Sequence, residues 1–182
     1  MNYKQFSNLS CYEEFEIKSS LTGISKIDVL KEIGRQINNY YLFIPNDGIF
    51  NWYDLSGNHV ENPCMLKELK IEHIPQNITK CIIPDSVTSI GNGVFYNCKL
   101  LKEIIIPDSV TSIGNAAFSH CRSLQSITIP DSVEHIGYEA FYGCDSLKEV
   151  NFKGKTLEKV KQMNNYSFGI EDESIIKVPE MI

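Results

Sequence analysis

The chain has 182 residues, 42% of them hydrophobic and 22% charged, with a formal net charge of −6. Charge is spread as −3 over residues 1–65 (five basic, eight acidic), −3 over 66–150 (seven and ten) and zero over 151–182 (five and five). No basic stripe is present to hold phosphates, so nucleic acid is not an expected partner. The longest apolar runs are a few residues, so no membrane span is expected.

The N-terminal stretch MNYKQFSNLSCYEEFEI lacks a basic start followed by an apolar core, so no Sec signal peptide is expected. EEFEI, residues 13–17, alternates like a strand. ISKIDVLKEIGRQINNYY follows, with Val29, Leu30, Ile33, Ile37 and Tyr40 on one face of a predicted helix. Ser25 is its expected N-cap, and Gly34 weakens it slightly. YLFIPNDGIFNWYDLSGNHV reads as two strands around PNDG, then a turn at SGN. Residues 1–65 are therefore expected to form a small α/β domain. No long Pro/Gly/Ser linker follows, which places it against the N-terminal end of residues 66–182.

From residue 82 the chain repeats itself. Pro84, Pro107 and Pro130 lie 23 residues apart, as do Gly91, Gly114 and Gly137, Phe95, Phe118 and Phe141, and Cys98, Cys121 and Cys144. Residues 82–104 match 105–127 at 15 of 23 positions, and 105–127 match 128–150 at 12. A period of this length means a solenoid, in which each turn buries its apolar side only against its neighbours. In LKEIIIP, Ile104 and Ile106 point inward while Glu103 and Ile105 point outward, because strand side chains alternate. Pro107 ends the strand, Asp108 and Ser109 turn the chain, Val110 and Ile113 form a second buried edge, and Gly114 permits a bend. NAAFSHC is expected as a short helical or 3₁₀ turn that sends Phe118 and Cys121 inward.

IPDSVTSIGN, with Phe, Cys, Leu and Ile at fixed places after it, resembles the 23-residue BspA-type leucine-rich repeat, as found in proteins of gut bacteria and their phages. Three full units over 82–150 carry the likeness. It implies an α/β repeat fold, a short leucine-rich-repeat β-solenoid, with a surface that binds a protein partner and no catalytic residues or cofactor to carry over. Ser86, Ser109 and Ser132 stand where the general leucine-rich pattern has its ladder Asn, so hydroxyls are expected to cap backbone groups between turns. The expected setting is cytoplasmic or virion-associated.

Both open ends of such a stack need covering. Residues 66–81 read as a degenerate N-terminal turn, shortened around Pro75, with Ile78 at the phase of Leu101 and Cys81 at that of Ile104. Residues 151–182 read as a C-terminal cap. Val150 and Phe152 continue the strand phase, Thr156 caps a helix bearing Leu157, Val160 and Met163, and Phe168 and Ile170 seal the last rung. This tail resembles the terminus found on many such repeat proteins.

Little chemistry competes with this reading. His59, His73, His120 and His135 have no ligand-spaced Cys or His, so no metal centre is expected. Cys98, Cys121 and Cys144 fall about 5 Å apart on stacked rungs, suited to a disulfide or shared metal, but their phase among Phe and Leu favours a core ladder of free thiols. Asp85, Asp108 and Asp131 form a column that reads as turn capping rather than a Ca²⁺ site. Trp52, Tyr53, Phe50 and Tyr41 read as the aromatic core of the N-terminal unit rather than a stacking patch. There is no G-x-S-x-G and no phosphate-cradling loop. The remaining candidates are the outward strand positions Ile82, Glu103, Ile105, Ser126, Thr128 and Glu149, with Lys80 set to pair with Glu103. Ile82 and Ile105 are either a contact surface or covered by the N-terminal unit, in which case binding is to be sought on the convex edge around Tyr96, His120 and Tyr142. A structural part of a phage virion, or an enzyme with its site in 1–65, are the alternatives to a binding or scaffold module.

Overall fold

The structure, a computed structural model, describes residues 23, 25–37, 40–45, 47–61 and 66–180. The strand expected over 13–17, Cys11 and Cys64 lie outside the described residues.

Helix α1 (Lys26–Ile33) starts where Ser25 Oγ accepts the Asp28 amide at 3.2 Å. It buries Val29 and Leu30. It does not run on to Tyr40. The chain turns extended at Gly34, where a Cβ would stand 2.7 Å from the Leu30 carbonyl oxygen. Arg35–Ile37 then forms β1 and Tyr40–Phe43 forms β2, paired antiparallel with Ile37 opposite Tyr40. The spacing of Ile33 and Ile37 suits a helix, but sheet pairing overrides that local preference. β3 (Asn51–Asp54) and β4 (His59–Val60) complete a meander in the order β1-β2-β3-β4. The Asp54 carboxylate accepts the Ser56 and Asn58 amides at 2.8 and 2.9 Å, building the expected turn. The Asn58 side-chain amide, which donates to the same carboxylate at 3.0 Å, and these backbone amides hold the Asp54 carboxyl below the usual range. Tyr41, Phe43 and Tyr53 pack on Val29 and Leu30.

Then come β5 (Glu68–Leu69), a 3₁₀ turn (Ile71–His73), β6 (Lys80–Ile82), β7 (Ser89–Ile90), β8 (Glu103–Ile105), β9 (Ser112–Ile113), β10 (Ser126–Ile129), β11 (His135–Ile136), β12 (Glu149–Phe152), helix α2 (Leu157–Lys161) and β13 (Ile176–Lys177). They coil into a β-solenoid of about five turns among the described residues. One parallel ladder runs β6-β8, with β10 beside β8, and on through β12 to β13. The other runs β5-β7-β9-β11. Partners stand one full repeat apart where the sequence repeats, as Lys80↔Glu103 and Ser89↔Ser112. The first turn is shorter than a repeat, setting Leu69 opposite Ile90. The last is longer, setting Val150 opposite Ile176. β13 gives the C-terminal end a closing strand that sequence reading did not anticipate.

The third side of each turn is neither helix nor strand. Left-handed residues recur along it at two phases, Gly93, Ala116 and Glu139 at one and Asn97, His120 and Gly143 at the other. Such residues break any regular 3₁₀ helix. The segments bond across rungs instead, the Phe95 amide to the Ala117 carbonyl and the Phe118 amide to the Ala140 carbonyl, both at 2.8 Å. Within the coil Phe95, Phe118 and Phe141 stack nearly parallel, at 5.1 and 5.5 Å between ring centroids. Burying each such ring stabilises by roughly 1.5–3 kcal/mol.

Three devices lock rung to rung. Ser109 and Ser132 hydroxyls donate to the Val87 and Val110 carbonyls at 2.7 Å, as expected. Asn92 and Asn115 side chains accept the Asn115 and Tyr138 amides at 2.8 Å, an Asn ladder that the sequence reading passed over. The glycine column works differently from expectation. Gly114 has no left-handed φ, and a Cβ on it would stand 2.6 Å from the Asn92 amide nitrogen. Its service is close approach of neighbouring rungs, not a bend.

At the C-terminal end Thr156 Oγ1 accepts the Lys159 amide to start α2, and Val160, Phe168 and Ile170 are buried. Met163 is half-buried and Leu157 is exposed, because a helix of five residues turns only one side inward.

Candidate functional site

The outward positions of the first ladder form one continuous face. Register sets Lys80 beside Glu103 and Ile82 beside Ile105, then Ser126 beside Glu149 and Thr128 beside Asn151. Lys80 Nζ reaches Glu103 Oε1 at 3.2 Å. Glu103, Ser126 and Glu149 are exposed and Thr128 is half-buried. Ile105, in the strand between β6 and β10, is 45% exposed. Ile82 is half-buried, because the N-terminal sheet reaches it. The Ile82 amide donates to the Gly48 carbonyl at 2.8 Å, and Ile49, Phe50 and Trp52 line a cleft with its side chain. Coverage thus ends one rung short of Ile105.

The other candidates sort differently. Of the four aromatics expected in the N-terminal core, Tyr41 and Tyr53 belong to it, Trp52 is buried outside it, and Phe50 is half-buried against the solenoid core instead. Asp131 is held by Lys155, which bonds both its carbonyl and, at 3.2 Å, its carboxylate, so the third member of the Asp column is a cap contact. Among the described residues no group of three or more His, Cys, Asp or Glu is arranged to hold a metal ion. Cys98 and Cys121 are buried free thiols, and Cys144 is half-buried and free. Cys121 and Cys144 thiols donate to the Phe95 and Phe118 carbonyls at 3.1 and 3.0 Å. Burial pushes the Cys98 thiol up to about 11 and Cys144 to about 12, so both stay protonated at neutral pH. Among the described residues no helix is long and apolar enough to cross a membrane.

The convex edge around Tyr96, His120 and Tyr142, the second surface the sequence offers for binding, carries an aromatic column on the third side. Tyr96 and Tyr142 share one phase, but the rung between them has Ser119 there. His120, one position on, swings its ring into the gap, edge-to-face with Tyr96 at 5.8 Å and with Tyr142 at 5.5 Å. Gly143 makes this possible, since a Cβ there would overlap His120 Nδ1. Tyr96 and Tyr142 remain 46% and 43% exposed. The change of phase between rungs hides this ring packing, though not the edge itself, from a period count.

His73 sits where the first turn meets the N-terminal sheet, its 3₁₀ turn lying against β1. It is buried, and Nδ1 accepts the Lys70 amide at 3.1 Å. Burial pulls its pKa below the ordinary histidine value.

A family model described as the BspA type leucine rich repeat region matches residues 73–181, in six copies. The chain belongs to the BspA-type leucine-rich repeat family. The match extends past the three full units of 82–150 into both end turns. No curated protein matches the chain. Among solved structures, this BspA-type chain is similar to a leucine-rich repeat protein from Eubacterium ventriosum, with 28% identity and a TM-score of 0.49 over 64% of this chain and 28% of that one. A leucine-rich repeat protein from Bacteroides capillosus is 24% identical, with a TM-score of 0.45 over 67% of this chain and 99% of that one. A leucine rich cell surface protein from Faecalibacterium prausnitzii is 23% identical, with a TM-score of 0.43 over 79% of this chain and 40% of that one. The BspA-type chain therefore spans less than a third of the first and nearly all of the second.

Proposed function

We propose that the chain is a non-enzymatic protein-binding or scaffold module, and that a protein partner docks on Ile82, Glu103, Ile105, Ser126, Thr128 and Glu149. The observation that carries this reading is Ile105. It is a large apolar side chain left 45% exposed in the middle of a parallel ladder, just beyond the reach of the N-terminal sheet. The ladder fixes the backbone on both sides, so a partner meets a surface that costs little ordering entropy to engage. Lys80, Glu103 and Glu149 supply polar neighbours around the apolar centre, the usual arrangement of an interface.

The test is Ile105→Asp, with capture of proteins from the native host compared with the unaltered chain. Capture should fall at least tenfold, while stability changes by no more than about 0.5 kcal/mol, as for most surface substitutions. Unchanged capture would move the search to the Tyr96–His120–Tyr142 column. A strongly lowered melting temperature would show Ile105 to be covered.

A further inference from the structure

Two clefts flank the ridge Ile49–Phe50–Trp52, at the junction of the N-terminal sheet with β6. One, about 190 Å³, lies toward Leu66, Ile82 and Pro84, with Ser86 at its wall. The other, about 250 Å³, lies toward His59, Val60 and Glu61. Both are smaller than the roughly 300–1,000 Å³ that houses a drug-sized ligand or cofactor. Each suits one large side chain.

The rim has a sign. Glu61 lines the second cleft, and Asp85 stands in the chain between the Pro84 and Ser86 that line the first. Asp108 repeats the place of Asp85 one rung on, near Ile105. Asp85 and Asp108 are exposed, as is Glu61. None of the three has an ion pair among the described residues, whereas Glu103 and Asp131 are already held by lysines. The chain as a whole is at −6. A partner that seats an apolar side chain here meets carboxylates beside it.

We propose that the cleft between the Ile49–Trp52 ridge and Ile82 is an anchor pocket for one large apolar side chain of an extended protein segment that carries Lys or Arg within two residues of it. This rests on the strand-face reading above and adds to it the chemistry of the partner. The segment would run from the cleft past Ile82 onto Ile105, with its basic residues toward Asp85 and Asp108. Charge complementarity of this kind selects partners and raises the rate of encounter, and it weakens with salt.

The chain's single tryptophan makes the test direct, since Trp52 lines both clefts. A library of random peptides is selected on the full chain, and the enriched peptides are synthesised and titrated while Trp52 emission is followed. Enrichment of an apolar residue next to Lys or Arg is expected, with a blue-shifted Trp52. Affinity should fall at least tenfold when Ser86→Phe fills the cleft, and severalfold in Asp85→Lys, which leaves the apolar wall intact should Ser86→Phe fold poorly. The proposal is overturned if nothing is enriched, if the enriched peptides are acidic or wholly polar, or if neither variant weakens them. Peptides lost in Ile105→Asp yet indifferent to both cleft variants would leave the strand face standing and remove the anchor pocket. Peptides lost in the cleft variants but bound normally by Ile105→Asp would do the reverse.

Discussion

The meander β1–β4 and the ladders β5–β13 are made of equally short strands, two to four residues each, yet they hold register by different means. In the meander, register comes from local turns such as Asp54–Asn58. In the solenoid, each strand meets its partner a whole coil further along the chain, and the register is held by side chains that repeat with it: the Phe stack, the Ser hydroxyls and the Asn ladder. A local turn specifies one pairing. A repeated column specifies every pairing at once, and it exposes each rung to its neighbours' defects.

The largest effect that would break this comparison is in the Phe stack. Phe118 lies between two parallel rings, so Phe118→Ala leaves a cavity shared by two neighbouring rungs. A loss of roughly 3–5 kcal/mol is expected in chemical denaturation. A melt unchanged within error would mean that the rungs do not depend on one another.

Glycines sharpen it next. Gly57 in the meander needs its left-handed φ of 84°, so Gly57→Ala should cost about 1–2 kcal/mol and Gly57→Asn less, since Asn tolerates that region. Gly114 has an ordinary backbone but no room, so Gly114→Ala should cost about 1–3 kcal/mol and Gly114→Asn more. If Asn rescues both positions, close packing of rungs is not what Gly114 serves.

Acid probes the junction between the two regions. The folded-state pKa of His73 is lowered by burial, so the unfolded chain binds the proton more readily. Its contribution to stability is complete above the unfolded value near 6.5 and is lost as pH falls below it toward the folded value. Stability should therefore drop in mildly acidic solution, and His73→Gln should flatten that drop. Persistence of the drop in His73→Gln would assign it elsewhere. The smallest expected change in stability is that of Ile105→Asp, whose effect belongs to capture.

What the sequence made legible follows the same division. Each core position of the repeat was written three times, so Phe95, Phe118 and Phe141, the buried Cys98 and Cys121, and the hydroxyl column needed only one unit to be understood. Cys144 and its neighbour Leu147 are half-buried instead, because the turn beyond them is longer and fits less closely. In the meander each residue is used once. Ile33 and Ile37 kept helical spacing, and only pairing with β2 decided against the helix at Gly34. The face carrying Ile105 was legible from strand alternation. That Ile82 is covered and Ile105 is not depends on how far the Ile49–Trp52 segment reaches, which no periodicity encodes. The edge around Tyr96, His120 and Tyr142 was legible as an alternative surface, but the ring packing along it was not, because its middle ring comes from the adjacent phase.

On the third side every backbone bond between rungs from Gly93 to Phe141 runs one way, with the amide of one rung donating to the carbonyl of the next. Phe141 gives the last of these to Phe168 of the end turn. That flank is thus polarised along its length, with donors facing the C-terminal end and acceptors facing the other. The two end segments are for this reason not interchangeable parts. A lid that closes the far end must bring carbonyls to it, as residue 168 does, and the same lid transplanted to the near end would set oxygen against oxygen.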